Sequence, residues 1–327
     1  MLRKKGNFQR MDTLAILIPC YNEAQTIGKV IDDCQVAAKS VPGKTVIYVY
    51  DNNSTDDTKK IALDHGAVVR SEYQQGKGNV IRGMFREVNA QSYIMLDGDD
   101  TYPTEDIPGM VDLVINQKVD MVVGDRLSST YFEENKRPFH NVGNRIVRWS
   151  INHFFNNEIR DIMTGYRAFS FNFVKTFPVL STGFEIETEM SITASVNHMH
   201  VKNYLITYRD RPEGSDSKLN TVSDGMKVLK TIASMFRNYH PQLFYSIVAA
   251  LFVFIAAAFF IPSVWLPYLA TGEVFNFPTL IVCGFLVLAA IISLYSGFIL
   301  HSLVKQEKRN FEFHLQEVQF EYERLNN

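Results

Sequence analysis

Cysteine is scarce in this sequence. Cys20, Cys34 and Cys283 are odd in number and unpaired in spacing, so no disulfide framework or cysteine metal site is expected, and a reducing compartment suits the chain. An excess of one charge is also missing. The 33 Lys and Arg stand against 35 Asp and Glu, which excludes a general nucleic-acid binder working through a basic surface. Near the start, the basic stretch Met1–Arg10 leads only into the short run Leu14–Ile18, too short for the apolar core of a signal peptide. With 327 residues the chain can hold one large domain or two smaller ones.

The apolar residues are unevenly spread. Leu243–Ile261 and Leu280–Leu300 contain no charged residue, and at ~1.5 Å per residue each is about long enough to cross ~30 Å of hydrocarbon. They read as two transmembrane helices forming a hairpin, with Pro262, Pro267 and Pro278 punctuating the connection. Buried core helices are the weaker reading, because a soluble helix normally keeps a polar stripe. Lys227, Lys230 and Arg237 precede the hairpin and Lys305, Lys308 and Arg309 follow it, whereas the connection holds Glu273 and no Lys or Arg. The positive-inside rule then puts both termini in the cytoplasm of a multi-pass plasma-membrane protein. On that side the sequons within Asn52–Thr55 are never glycosylated.

From Thr13 to about Arg209, strand and helix signals alternate. Strands are expected at Leu14–Ile18, Val46–Tyr50, Ala67–Arg70, Tyr93–Leu96 and Met121–Val123, with helices near Ala24–Ala38, Asp56–His65, Gly78–Val88 and Glu105–Ile115. The fold class is α/β: a mostly parallel, Rossmann-like sheet with helices on both faces, binding ligands beyond the carboxyl ends of its strands. The polar motifs fall at those ends. Pro19-Cys20-Tyr21-Asn22-Glu23 follows the first strand and Asp51-Asn52-Asn53-Ser54-Thr55-Asp56 ends the second. Gly76-Lys77-Gly78 opens the helix after the third, and Asp97-Gly98-Asp99-Asp100 closes the fourth.

Each motif has a chemical use and a plain alternative. Crowded carboxylates at 97–100 are relieved most simply by a hard divalent cation, Mg2+ or Mn2+, with positions open to phosphate oxygens; an acidic turn before a helix has the same composition. Asp51 is placed to accept hydrogen bonds from a nucleobase or ribose, while Ser54–Asp57 also suit helix caps. Gly76 and Gly78 allow close backbone approach to an anion at a helix start and Lys77 adds charge, but the Walker A spacing is absent.

In this order the motifs resemble those of the family 2 glycosyltransferases, and most closely the polyprenyl-phosphate branch related to dolichol-phosphate mannose synthase. The resemblance covers about residues 12–300 and rests on Pro19–Glu23, Asp51–Asp56, Gly76–Gly83 with Arg82, Asp97–Asp99, Arg160-Asp161 to Arg167, and Tyr208–Leu219. It implies a GT-A fold that binds a nucleotide-sugar through a DxD metal motif. It places Asp97 near nucleotide and sugar, with Asp97 and Asp99 as the metal pair and Asp51 on the base. Pro19, Tyr21, Asn22, Glu23, Asn53, Ser54, Gly76, Lys77, Gly78, Arg82 and Gly98 join them around the donor. Arg211 and Lys218, in the loop Arg209–Lys218, are expected on the donor pyrophosphate, and Asp161 is the candidate catalytic carboxylate. Thr101 stands where many relatives carry Gln. The division expected is a cytoplasmic catalytic domain over residues 1–223, an interfacial helix over 224–241, the hairpin over 242–302 and a cytoplasmic C-terminal helix over 303–327.

The acceptor implied is a polyprenyl monophosphate, whose second pKa near ~6 leaves it largely dianionic at neutral pH. Such a nucleophile needs charge control more than a base, which assigns Arg126, Arg145 or Arg148 to its phosphate and lets Asp161 orient an Arg or a sugar hydroxyl. In-line attack on a UDP-sugar inverts the anomeric carbon, with glucose or N-acetylglucosamine favoured over GDP-mannose. Two amphipathic stretches, Val142–Phe155 and Asp224–Tyr239, suit helices in the headgroup layer. Phe311, Leu315, Val318, Tyr322 and Leu325 recur at heptad-like spacing, either for contacts in a homo-oligomer or to cover the catalytic domain. The rival readings are a processive polysaccharide synthase, whose Gln-x-x-Arg-Trp signature Arg145–Trp149 misses by an Arg for Gln, and a non-catalytic nucleotide-sugar-binding scaffold.

Overall fold

A computed structural model describes residues 11–126, 159–209 and 221–326, apart from the side chains of 221–225 and 227–229. The chain divides into two compact units, one formed by residues 1–232 with 311–327, the other by 233–310.

The first unit is built on a seven-stranded sheet. In chain order its elements are β1 (Asp12–Cys20), α1 (Ile27–Ala38), β2 (Thr45–Asp51), α2 (Thr58–Asp64), β3 (Val68–Ser71), α3 (Lys77–Glu87), β4 (Ala90–Met95), α4 (Ile107–Ile115), β5 (Met121–Asp125), β6 (Arg167–Ser170), α5 (Phe171–Thr176), α6 (Ile186–Val196) and β7 (Val201–Leu205). The strand order is β3-β2-β1-β4-β6-β5-β7. All neighbours run parallel except β6, which is antiparallel to both β4 and β5. Leu14 to Ile18 on β1 are fully buried without alternation, as expected of a central strand covered on both faces. The expected alternation is present with element ends shifted by a few residues, and a short 3₁₀ turn at Thr104–Asp106 precedes α4.

Sheet order reverses between β1 and β4. From β1 the chain steps outward to β2 and β3, then returns to place β4 on the other side of β1. A crevice opens where neighbouring crossovers diverge, beyond the carboxyl ends of those two strands. Residues 21–26 and 96–101 therefore face each other there.

The C-terminal helix α10 (Phe277–Asn326) ends on the first unit. Val318 is buried, the Tyr322 ring lies 5.3 Å from that of Phe171, and Gln91 Nε2 donates to Asn326 Oδ1 at 3.0 Å. The 318/322 face of the heptad-like stretch thus packs on the sheet domain.

α7 (Thr221–Tyr239), which spans the amphipathic stretch expected at 224–239, begins in the first unit and ends in the second, where α8 (Pro241–Phe260), a π-helical turn at Ile261–Trp265 and α9 (Leu266–Thr271) follow. Pro241–Thr271 and Phe277–Asn326 are helical spans long and apolar enough to cross a membrane. Small residues line the inner face of the pair: Ala249 and Ala256 on one side, Cys283 and Ala290 on the other, are all buried. Small side chains let the backbones approach, and Cys283 Sγ reaches Ala256 O at 3.4 Å. Phe254, Phe285 and Ile299 point outward.

Pro262 and Pro267 lie inside the first helical span, so the connection is only Gly272–Asn276; it was expected to begin at Pro262. The wide turn accommodates them, and the Ser263 carbonyl, which loses its helical donor at Pro267, accepts from Asn276 Nδ2 at 2.8 Å. Gly272, at φ +74°, ends the span in the left-handed region.

Candidate active site

The exits of β1 and β4 are tied together. Thr26 Oγ1 donates to Gly98 O at 2.6 Å, and a Cβ on Gly98 would stand 2.9 Å from Cys20 Sγ. Gly98 is the residue that lets the acidic turn close against β1. Asp99 is buried, its Oδ1 accepting from Thr101 N (3.2 Å) and Thr101 Oγ1 (2.6 Å). Thr101 thus fixes the Asp99 carboxylate from within the turn. Asp100, at φ +59°, turns outward to Lys29 (2.8 Å) and Arg209 (3.9 Å).

β1 and β2 run in register, with Cys20 opposite Asp51, so the loops after them are adjacent. Asn22 N donates to Ser54 Oγ at 2.9 Å, Thr55 N to Asn22 Oδ1 at 2.8 Å and Glu23 N to Thr58 Oγ1 at 2.8 Å. Pro19 ends up within β1 and Tyr21 is exposed just past its end. Asp51 is buried and its Oδ1 has no hydrogen-bond partner. A buried carboxylate oxygen left this way is costly unless a ligand donor meets it. Asn52, a motif residue without an expected role, is the staple of the next loop: its Nδ2 donates to Glu72 O (3.0 Å) and Gln74 O (2.7 Å), and its Oδ1 accepts from Gly76 N (2.7 Å). Asn53 holds Tyr73 O at 2.9 Å.

The Gly-Lys-Gly turn packs against protein. A Cβ at Gly76, whose φ is +129°, would lie 2.2 Å from Thr182 O, and one at Gly78 would lie 2.2 Å from Ser181 O. Gly78 N donates to Thr182 O at 3.0 Å. The close backbone approach is therefore to the 181–182 segment, and the N–H groups of Gly76 and Gly78 are already engaged. Arg82 holds the same segment, with Nε on Val179 O at 3.0 Å, and Glu189 accepts from Leu180 N and Ser181 N at 3.1 and 2.8 Å.

Lys77 does not project into solvent. Its Nζ lies 2.6 Å from Asp97 Oδ1 and 2.7 Å from Glu187 Oε1, and 5.9 Å from the centroid of the Phe184 ring. Burial works against the ammonium, but the two carboxylates overcome it and hold the lysine above its ordinary value. Burial likewise pushes Glu187 up, against the pull of Lys77.

On the other side of Asp97, Asp161 is buried beneath Arg126. Arg126 Nε donates to Asp161 Oδ2 at 2.7 Å and Nη2 to Oδ1 at 3.2 Å, a bidentate pair. The guanidinium lies 5.3 Å from the Tyr208 ring and 5.9 Å from that of Tyr102. Tyr102 Oη accepts from Gly165 N (3.1 Å) and lies 3.3 Å from Arg126 Nη1. Arg167 is entirely buried and braces the 161–166 turn: its Nε and Nη2 donate to Thr164 O (3.0 Å) and Ile162 O (2.6 Å), and Nη1 to Ser191 Oγ (3.0 Å). Burial pushes it down to about 10.

Asp51, Asp97, Asp99, Arg126 and Asp161 belong to strand ends or adjoining turns, and Lys77 opens α3. Arg145, Arg148, Arg211 and Lys218 lie outside the described residues, as does the stretch 142–155. Among the described residues no three His, Cys, Asp or Glu side chains converge as a metal cage. Asn52, Tyr102 and Glu187 carry interactions that sequence reading did not assign. Asn52 stands in the motif that ends β2 and Glu187 in the alternation Glu185, Glu187, Glu189, whereas Tyr102 had no such signal.

The model of Glycosyl transferase family 2 matches residues 15–177. Glycosyltransferase AglJ of Haloferax volcanii is 34% identical over 235 residues, covering 72% of this chain and 75% of that protein. Dolichyl-phosphate hexose transferase of the same organism is 28% identical over 225 residues, covering 68% of this chain and 94% of that protein. Among solved structures, glucosyl-3-phosphoglycerate synthase from Mycobacterium tuberculosis, in complex with Mn2+, UDP-glucose and phosphoglyceric acid, superposes with a TM-score of 0.52 at 20% identity, over 69% of this chain and 80% of that one. The sheet is therefore that of a GT-A-like domain, and with its strand-end carboxylates and its extended match to AglJ the chain belongs to glycosyl transferase family 2.

Proposed function

We propose that the protein transfers a single hexose, with inversion, from a UDP-sugar to a polyprenyl phosphate such as undecaprenyl phosphate, making a lipid-linked sugar for cell-envelope glycans. One observation carries this reading: the glycosyltransferase unit shares its chain with two helices long and apolar enough to cross a membrane. Helices of this kind hold a catalytic unit at the surface where a lipid acceptor is found. The match to a dolichyl-phosphate hexose transferase over 94% of that protein supports the same acceptor class.

The donor set at 97–99 fits Mg2+ or Mn2+. Two carboxylates are few for an all-protein cage, but such ions commonly take one or two carboxylates and complete their shell with water and substrate phosphates. Asp97 and Asp99 would hold the ion, which would neutralise charge on the donor diphosphate when bound. Asp51, with its unmet Oδ1, receives a donor group of the base or ribose. Arg126 meets the acceptor phosphate, and Asp161 fixes the plane of its guanidinium. Because the acceptor brings its own charge, Asp161 positions rather than removes a proton. In this reading the termini and the sheet domain are cytoplasmic, the hairpin spans the plasma membrane, and residues 224–241 lie along its surface.

The second reading within the family, a processive synthase, is disfavoured because the two membrane-capable helices among the described residues enclose no channel in one chain. The test is product analysis with purified full-length protein, undecaprenyl phosphate and labelled UDP-glucose, UDP-N-acetylglucosamine or GDP-mannose. One sugar on lipid phosphate from a UDP donor supports the proposal. Mannose transfer alone would replace the donor, a polymer would favour the synthase, and no transfer by active-site-intact protein would leave a binding scaffold.

A further inference from the structure

Lys77, Asp97 and Glu187 form a three-centre ion group drawn from the start of α3, the exit of β4 and the first turn of α6. One ammonium is shared at 2.6 and 2.7 Å between two carboxylates. Their exposures differ in a way that matters: the side chains of Lys77 and Glu187 are 10% and 5% exposed, that of Asp97 27%. Of the three, Asp97 is the one an incoming cation can reach. Its carboxylate is accommodated by a missing side chain, since a Cβ at Gly165 would stand 2.6 Å from Asp97 Oδ2 and 3.0 Å from Oδ1.

A lysine paired with Asp97 alone would compete with a divalent cation for the same carboxylate. Glu187 divides that lysine's charge. Fixed in a helix first turn, where a carboxylate is favoured by the helix dipole, Glu187 draws Lys77 partly away and leaves Asp97 with usable negative charge.

We propose that Glu187 is a positioning residue which, by sharing Lys77, sets the affinity of the Asp97 site for a divalent cation. The inference rests on the cation reading given under Proposed function. It differs from the expectation that Lys77 is a donor-phosphate ligand, because it gives the lysine the opposite effect on the metal.

The experiment measures Mn2+ binding to full-length protein by loss of the free-ion EPR signal, with saturating UDP, and UDP binding separately by calorimetry in chelator. Glu187→Gln keeps shape and one hydrogen bond to Lys77 and is expected to weaken Mn2+ roughly 10-fold or more, the scale of outer-shell changes at metal sites. Lys77→Met is expected to tighten Mn2+. Since that variant leaves Glu187 buried without its cation, the double variant Lys77→Met/Glu187→Gln provides a neutral replacement for both, and it should recover the affinity lost in Glu187→Gln. A purely structural role for Glu187 would not reverse on removing a second residue. Unchanged Mn2+ affinity in Glu187→Gln overturns the inference, as does loss of both Mn2+ and UDP binding in a folded Lys77→Met. Failure of the wild type to bind Mn2+ would instead remove the cation reading itself.

Discussion

Asp161→Asn separates an orienting carboxylate from a catalytic base. Asp161 is buried to 1% exposure and grips Arg126 through two charge-assisted bonds of 2.7 and 3.2 Å. Removing one partner of a buried pair costs roughly 3–5 kcal/mol when the other is stranded. Here the loss is smaller, because the Arg126 side chain keeps 11% exposure and stays among the Tyr102 and Tyr208 rings, contacts worth about 0.5–2 kcal/mol, and the Asn oxygen still accepts one bond. A stability loss of about 2–3 kcal/mol is expected. The rate falls as Arg126 loses its fixed plane. Yet with the proposed polyprenyl-phosphate acceptor, kcat/KM should still rise through that phosphate's second pKa, ~6, since the limb would belong to the acceptor. The assay is initial rate against pH for wild type and variant, with acceptor below saturation, alongside a denaturation curve. Disappearance of the acidic limb in the variant, with a loss of ~10²- to 10⁴-fold, would make Asp161 the base and refute the reasoning.

Gly78→Ala would drive a methyl to within 2.2 Å of Ser181 O; overpacking of this kind costs about 1–3 kcal/mol, and a thermal melt should drop accordingly, with donor binding impaired as the 181–182 segment shifts. Arg167→Met leaves three buried acceptors in the 161–166 turn and α6 without their donor, at about 1–3 kcal/mol for each that finds no other partner, and should lower the melt; an unchanged melt would contradict the bracing role. Lys175, pushed down to about 8 by burial against the pull of Glu321, binds fewer protons folded than unfolded between about 8 and its ordinary 10.5. Stability should therefore rise with pH across that window, and Lys175→Met should flatten the rise. For the topology, a Cys at Glu273 should react with a membrane-impermeant thiol reagent on intact cells and one at Asn326 should not; the reverse labelling would invert the orientation.

The central strands were legible because they are continuous apolar runs closed by polar motifs, the pattern of strands covered on both faces, whereas the edge strand β3 keeps Val68 exposed. The antiparallel β6 was not: Arg167–Ser170 is short and begins with an arginine whose burial depends on partners far along the chain. Proline misled the reading of the hairpin, because the rescue of the Ser263 carbonyl by Asn276 is a tertiary contact. At the site, residue types announced the strand-end carboxylates, but not how they are shared. Lys77 reads as an anion ligand until α6 brings Glu187 beside it. Gly76 and Gly78 announce a close approach without saying that the approaching backbone is residues 181–182.

The proposed activity is metal-dependent transfer of one sugar to a lipid phosphate. Partition of labelled sugar into the organic phase, with undecaprenyl phosphate or undecaprenol as acceptor, tests it most directly when each is assayed in chelator and after restoring Mg2+. Label is expected in the lipid phase only with the phosphate and only after Mg2+ is restored, one sugar per lipid. Equal labelling of undecaprenol, or undiminished transfer in chelator, would contradict it.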